Sequence, residues 1–308
     1  MVARHASPLE ALLVDERFDG EINPFEPMSR HTTYRIGGPA RYFARVHSVS
    51  ALARVLDACK AVGEKWYIVG RGSNLLVADE GVDAAVILLG RDFRSMRYDE
   101  EKSRLMLGAG VPLSAAVQEA FRRSLAGLEF AVGTPGSVGG ALRMNAGSRD
   151  EWLGARVESV TSFSAEGGLV RRHGSEIEWG YRCSSFPADE ILVECELNME
   201  PADPFYIRGK MEASLKRRKA TQPLRQPSCG SVFKNPEGAS AGDLIERAGL
   251  KGSAVGGARI SDVHANFIVN TGNATACDVL SLIELVQGKV LEAYGVALKP
   301  EVKLLGFE

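Results

Sequence analysis

The 308-residue sequence has no C-x-x-C pair, and its five cysteines (59, 183, 195, 229 and 277) are odd in number and widely spaced. They read as reduced thiols, which excludes a disulfide framework and a structural zinc site and sets the metal expectation at none. There is no long basic run, and 37 Lys and Arg against 39 Asp and Glu leave a net charge of −2. The electrostatic footprint of a nucleic-acid binder is therefore missing. No apolar run approaches a membrane span; Ala84–Leu89 is the longest beside a strand. The first 18 residues carry acidic side chains and lack the apolar core of a secretory signal, so the expected location is the cytoplasm. Internal repeats and low-complexity tracts are lacking too, and no obligate protein partner is evident.

Glycine is plentiful, 33 of 308 residues, against a usual share of ~7%. The densest block runs Gly133-Thr134-Pro135-Gly136-Ser137-Val138-Gly139-Gly140, then through Asn145 and Ala146 to Gly147. Glycines let backbone N–H groups converge on an anion, and the small hydroxyls and the amide add neutral donors. An ordinary series of glycine turns is the alternative. The block matches neither the G-x-G-x-x-G fingerprint nor a P-loop. A second block, Gly70-Arg71-Gly72-Ser73-Asn74-Leu75, follows the apolar run Trp66–Val69. The end of a strand is where α/β sheets bind ligands, although a plain turn also fits. Two such blocks in one chain favour an extended diphosphate ligand.

Residues 40–90 read as a small α/β unit: strand Ala40–Val46, a helix capped by Ser48 and ending at Gly63, then strands from Trp66 and Ala84. Pro112 opens a further helix. Strands are expected at Arg94–Tyr98, Arg104–Gly110, Val157–Ala165, Gly168–His173 and Glu190–Met199. Beyond a linker at Pro201–Pro204 come a helix over Lys210–Ala220, a strand at Ser231–Phe233, a short helix at Gly242–Ala248, a long helix over Thr275–Tyr294 and a last strand at Leu298–Leu305. The basic cluster Lys216–Lys219 reads as a solvated helix face, and His264 as a packed residue. The fold class is α+β. Length alone implies more than one domain; the expected bounds are 1–90, 91–202 and 203–308. Arg182 is a surface ion-pair residue or a fixed charge aimed at a ligand. Ser231 has no His/Asp pairing that would make it a nucleophile, and Glu301 faces a cleft or water.

Five ordered blocks resemble the UDP-N-acetylenolpyruvoylglucosamine reductases, flavoenzymes of peptidoglycan precursor synthesis. They are Thr32-Thr-Tyr-Arg-Ile-Gly-Gly38, Gly70–Leu75, Gly133–Gly147, Gly180-Tyr-Arg182, and Gly230-Ser-Val-Phe-Lys-Asn-Pro236 with Pro300-Glu-Val-Lys303. The resemblance spans roughly His31 to Gly306. It implies a two-subdomain FAD-binding fold of the vanillyl-alcohol-oxidase type with a C-terminal α/β substrate domain. It implies FAD held by Gly70–Leu75 and Gly133–Gly147 with Tyr34, NADPH as reductant, and a UDP-sugar as substrate. Arg182, Ser231 and Glu301 fall on the catalytic positions, and Tyr181, Lys234 and Asn235 on substrate-binding ones. Only a few residues separate Phe186 from the strand at Ile191, so the chain resembles the shorter subgroup without a Tyr-bearing loop. Ser148–Trp152 and Cys183 depart from the commonest family pattern. An oxidase of the same FAD fold is the alternative; such enzymes often tether flavin through His or Cys, and only His31 stands in these blocks.

Overall fold

The computed structural model of the chain describes residues 7–148 and 150–307. In chain order the elements begin α1 (Pro8–Leu13), β1 (Gly20–Pro27), β2 (Pro39–Val46), α2 (Val49–Val62), β3 (Trp66–Val69), β4 (Leu75–Val77) and β5 (Val82–Leu89). They continue β6 (Met96–Asp99), β7 (Arg104–Gly108), α3 (Leu113–Arg122), β8 (Leu125–Ala126), α4 (Val138–Arg143), β9 (Val157–Ser164), β10 (Gly168–His173), β11 (Trp179–Gly180), β12 (Cys183–Ser184), β13 (Ile191–Asn198) and β14 (Glu200–Pro201). The last part holds α5 (Pro204–Thr221), α6 (Ala241–Arg247), β15 (Ala254–Val255), β16 (Ala258–Ile260), β17 (Ile268–Asn270), α7 (Ala276–Tyr294) and β18 (Lys303–Leu305).

The chain forms two compact units, each discontinuous in sequence. The first takes the chain up to Glu26, then Arg41–Gly70 and Ala84–Leu215. The second takes Pro27–Ala40, Arg71–Asp83 and the chain from Lys216 on.

In the first unit, α2 starts where Ser48 Oγ accepts the Ala51 N–H at 3.3 Å and ends at Gly63 with φ 66°. Its Leu52, Val55, Leu56 and Cys59 are buried, one stripe at helical spacing. The strand that follows it, β3, pairs in parallel with β5, Trp66 opposite Ala85. They belong to a four-stranded sheet ordered β1-β2-β5-β3. A five-stranded sheet ordered β10-β9-β13-β7-β6 is antiparallel throughout, as the alternating apolar positions of β9 and β13 require. One core, from Leu9 to Met199, draws on α2 and on strands of both sheets.

The second unit has its own core of α6, α7 and the small sheet β15-β16-β17. Thr275 caps α7, with Asp278 reaching back to the Thr275 N–H. Asp79 also accepts the N–H groups of Ala276 and Cys277, at 2.8 and 3.0 Å. β18 pairs in parallel with β4, Lys303 opposite Leu75, which brings Lys303 to the glycine block Gly70–Leu75.

Three expected elements differ. Ser231–Phe233 is not a strand: its only ladder contact is a single bridge between Phe233 and Pro300. The Phe233 N–H goes to a side chain, Asn266 Oδ1 at 2.9 Å, so no ladder can run on. The last strand is confined to Lys303–Leu305, because Pro300 has no N–H to donate. The helix expected over Lys210–Ala220 starts earlier, at Pro204.

Glu190, just before β13, is buried beside β9 and β10. Its carboxylate accepts from Ser162 Oγ at 2.6 Å and from Arg172 Nη1 and Nη2 at 2.5 and 2.6 Å. Burial pulls its pKa up, but the bonds from Arg172 and Ser162 outweigh that and leave it below the ordinary carboxylate value. A depressed folded pKa contributes stability above the unfolded value of about 4.3 and loses it as pH falls through the folded value. Glu190→Gln is expected to lower unfolding stability by about 2 kcal/mol at pH 7, since hydrogen bonds to a charged group are lost. The difference from the parent protein should shrink toward pH 3 in thermal melts.

Candidate active site

The block Gly133–Gly147 lies along the loop between β7 and α3. Gly139 and Val138 donate to the carbonyls of Ala109 and Val111 at 2.8 and 2.9 Å, and Leu113 donates to Gly136 O at 3.0 Å. Ser137 is buried and caps α4, its Oγ accepting the Gly140 N–H at 3.3 Å. Gly133 and Gly136 take φ 71° and 127°, values open to glycine. Gly133, Pro135 and Gly140 are exposed, while Thr134, Gly136, Gly139, Ala146 and Gly147 are half-buried. A Cβ on Gly140 would meet nothing closer than Ser137 Oγ, at 3.5 Å. Gly70, at the end of β3, packs against the same serine: a Cβ there would lie 2.4 Å from Ser137 Oγ. The two glycine blocks thus meet at Gly70 and Ser137.

No acidic residue stands in the block, and its one cation is occupied. The Arg143 guanidinium donates to the Phe186 and Pro187 carbonyls, both at 2.8 Å, and to Glu190 O. That clamp holds the short 185–190 loop between β12 and β13. What the block offers an anion is neutral: backbone N–H groups without intervening Cβ atoms, and small hydroxyls. This donor set fits the diphosphate of a dinucleotide.

Arg182 sits in the two-residue turn between β11 and β12, where Gly180 pairs with Cys183. Its φ is 56°, the left-handed region, which costs a non-glycine residue about 1–2 kcal/mol. Arg182 Nη1 donates to Gly147 O at 2.9 Å, and the guanidinium lies 5.3 Å from the centre of the exposed Tyr181 ring. Asn145 is buried, and its Nδ2 donates to Gly180 O at 3.0 Å. In Ser148–Trp152, Gly147 bridges Trp152 and the Ser148 N–H donates to Glu151 O at 2.7 Å; Arg149 lies outside the described residues.

In the second unit, Gly72 is buried at φ 62°, and a Cβ there would fall 2.0 Å from His31 O. Thr33 donates its N–H to Gly72 O at 3.1 Å and its hydroxyl to Ser228 O at 2.7 Å. Asn74 Nδ2 donates to Glu301 O at 3.1 Å, and the Lys303 N–H to Asn74 O at 3.0 Å. Ser73 and Leu75 are half-buried and Arg71 is exposed. The Glu301 N–H donates to Val232 O at 2.7 Å, next in the chain to half-buried Ser231. Burial pushes the Cys229 thiol up to about 12, with the charge of Glu301 adding to the rise. The Lys234 N–H donates to Lys299 O at 2.9 Å, and Asn235 Oδ1 accepts the Ala241 N–H at 3.0 Å.

Tyr34 is wholly buried in the second core. Its hydroxyl meets no hydrogen-bond partner at ordinary geometry, and the Cys229 thiol is its polar neighbour. Burial raises the phenol well above its usual pKa.

Sequence reasoning missed Asn266. It is buried; its Oδ1 accepts the Phe233 N–H at 2.9 Å, its Nδ2 donates to Phe233 O at 2.8 Å, and its own O accepts the Val232 N–H at 2.9 Å. It pins the backbone that carries Ser231. The signal was two asparagines, 266 and 270, bracketing the apolar run Phe267-Ile-Val269. A buried carboxamide needs partners, and an irregular backbone supplies them.

Residues 40–172 match the FAD binding domain family, and residues 222–305 match the C-terminal domain of UDP-N-acetylenolpyruvoylglucosamine reductase. With the neutral glycine cradle, the first match defines a flavin-binding oxidoreductase. The UDP-N-acetylenolpyruvoylglucosamine reductase of Heliobacterium modesticaldum is 45% identical over 291 residues, 94% of this chain and 92% of that protein. The Synechococcus reductase is 42% identical over 294 residues, 94% of each chain. The crystal structure of the Thermus caldophilus reductase superimposes with a TM-score of 0.80 at 38% identity, covering 93% of this chain and 98% of that one. The chain belongs to the UDP-N-acetylenolpyruvoylglucosamine reductase family, as its five sequence blocks implied.

Two substitutions test this description. Tyr34→Phe removes a hydroxyl without a good partner, so the melting temperature is expected to hold or rise, by the equivalent of about 1 kcal/mol at most. The purified variant should keep its full FAD content; loss of flavin would show that the phenol reaches the cofactor. Asn266→Ala strands the Phe233 N–H and C=O and should destabilise the protein by about 2–4 kcal/mol in urea unfolding. A change below ~0.5 kcal/mol, typical of a surface site, would contradict the clamp.

Proposed function

We propose that the chain reduces UDP-N-acetylglucosamine enolpyruvate to UDP-N-acetylmuramate, with NADPH as the electron source, in peptidoglycan synthesis. FAD, when bound, supplies the two-electron relay between the nicotinamide and the enolpyruvyl group. Gly70, Ser137 and the open backbone of Gly133–Gly140 are assigned to hold it. The reduction adds a hydride equivalent at the β-carbon and a proton at the α-carbon, and negative charge builds on the substrate carboxylate between the two.

Arg182 is assigned to that carboxylate. A guanidinium stays protonated, and its effect is largest on charge that exists mainly in the transition state. Ser231 is assigned to deliver the proton to the α-carbon, a task that asks only for a placed hydroxyl and a neighbour to stabilise the alkoxide. Lys234 follows three residues later and is assigned that neighbouring role together with a nucleotide contact. Glu301 positions the enol, and Tyr181 and Asn235 contact the substrate. The observation that supports the assignment is the Glu301 N–H bond to Val232 O at 2.7 Å, which brings the Glu301 backbone to the neighbour of Ser231 from a distant part of the chain. The cytoplasm is the proposed location. NADPH and UDP-sugars are cytoplasmic metabolites, no helix among the described residues is long and apolar enough to cross a membrane, and all five cysteines are free.

Ser231→Ala is expected to be reduced by NADPH at the parental rate under anaerobic conditions. Its reoxidation by the enolpyruvyl nucleotide should fall by more than the ~10²–10³ of a lost oxyanion-hole donor. Stopped-flow flavin absorbance separates the two half-reactions, and parental reoxidation would sink the assignment of Ser231.

A further inference from the structure

Asn145 belongs to the block assigned to FAD, yet both polar atoms of its carboxamide are taken by protein. Nδ2 donates to Gly180 O and Oδ1 accepts the Gly154 N–H, each at 3.0 Å. The residue is 6% exposed and itself left-handed, at φ 40°. The two backbone groups it bridges flank one ring: Gly180 follows Trp179 in β11, and a Cβ on Gly154 would lie 2.4 Å from the Trp179 indole. Gly180 also closes the turn that holds Arg182 in its strained conformation. Gly147, two residues after Asn145, accepts from the Arg182 guanidinium at 2.9 Å, and Arg143 O, two residues before it, accepts from Ser184 Oγ at 3.0 Å. The far end of the glycine block is therefore a mount for the Arg182 turn.

We propose that Asn145 is a positioning residue for Arg182, acting through Gly180 and the Trp179–Ser184 turn, and not a ligand of the flavin. The proposal rests on the reading of Arg182 as the cation at the substrate carboxylate. A left-handed arginine persists only where its surroundings over-determine it, and the carboxamide is the buried part of that surround.

The test uses flavin-loaded Asn145→Ala and Asn145→Asp. The aspartate keeps the volume and an acceptor for Gly154 but loses the donor to Gly180, so it serves if the alanine variant folds poorly. FAD affinity, read by flavin fluorescence, and reduction by NADPH should stay within about threefold of the parent, the range of a merely local change. Reoxidation by the enolpyruvyl nucleotide should slow about tenfold or more with KM little moved, as for an interaction made only in the transition state. Added to Arg182→Ala, either variant should cause no further loss, because both act through one group. Hydrogen exchange across Trp179–Ser184 should quicken by about tenfold or more as the turn loosens.

FAD affinity lowered about tenfold with reoxidation unchanged at saturating FAD would overturn the proposal, as would multiplying losses or unchanged exchange in the turn. Parental reoxidation of Arg182→Ala would instead overturn the reading of Arg182. The two failures differ, since Asn145→Ala would in that case still quicken exchange in the turn.

Discussion

Three buried carboxamides, those of Asn145, Asn266 and Asn270, bond backbone groups of the short, irregular segments around the site. The segments that carry the chemistry are irregular, so their N–H and C=O groups need partners from elsewhere in the chain. An asparagine side chain offers one donor and one acceptor at fixed spacing, and a peptide group presents the complement. Asn266 meets both groups of Phe233 in this way. Asn270 holds Tyr34 O at 3.0 Å and the Gly272 N–H at 2.8 Å. Without such bonds each of these buried peptide groups would carry the penalty of an unmet polar atom, and the loops would move to find water.

The same constraint explains how charge is distributed. Arg143 is held by three carbonyls under α4, and Arg182 is anchored by one carbonyl and stacked on Tyr181. Neutral donors line the glycine cradle. The arrangement suits a protein with a net charge of −2 that handles anionic ligands, because local dipoles act without a broad positive field. Glu190 shows the opposite case, a buried carboxylate matched by an arginine and a serine within one sheet.

Much of the fold was legible. The Ser48 cap, the stripe of α2, the Gly63 stop and the apolar stripe of α7 are local signals, and both helices lie where these place them. The strand expected at Ser231–Phe233 was not, because a small-polar-apolar triplet reads alike as a strand and as an extended loop. The deciding acceptor, Asn266 Oδ1, lies 33 residues further on. The burial of Tyr34 in the second core was not legible either, since it depends on Cys229 and its neighbours, far along the chain.

By itself the sequence determined the caps and apolar stripes of the helices, which act over a few residues, and its five ordered blocks carried the resemblance to a flavoenzyme family. Only the tertiary structure decided which side chains hold those blocks in place. Asn145 reaches a carbonyl 35 residues away and Asn74 one 227 residues away. Hydrogen bonds over such separations leave no local pattern, since the partner is a backbone atom that every residue shares.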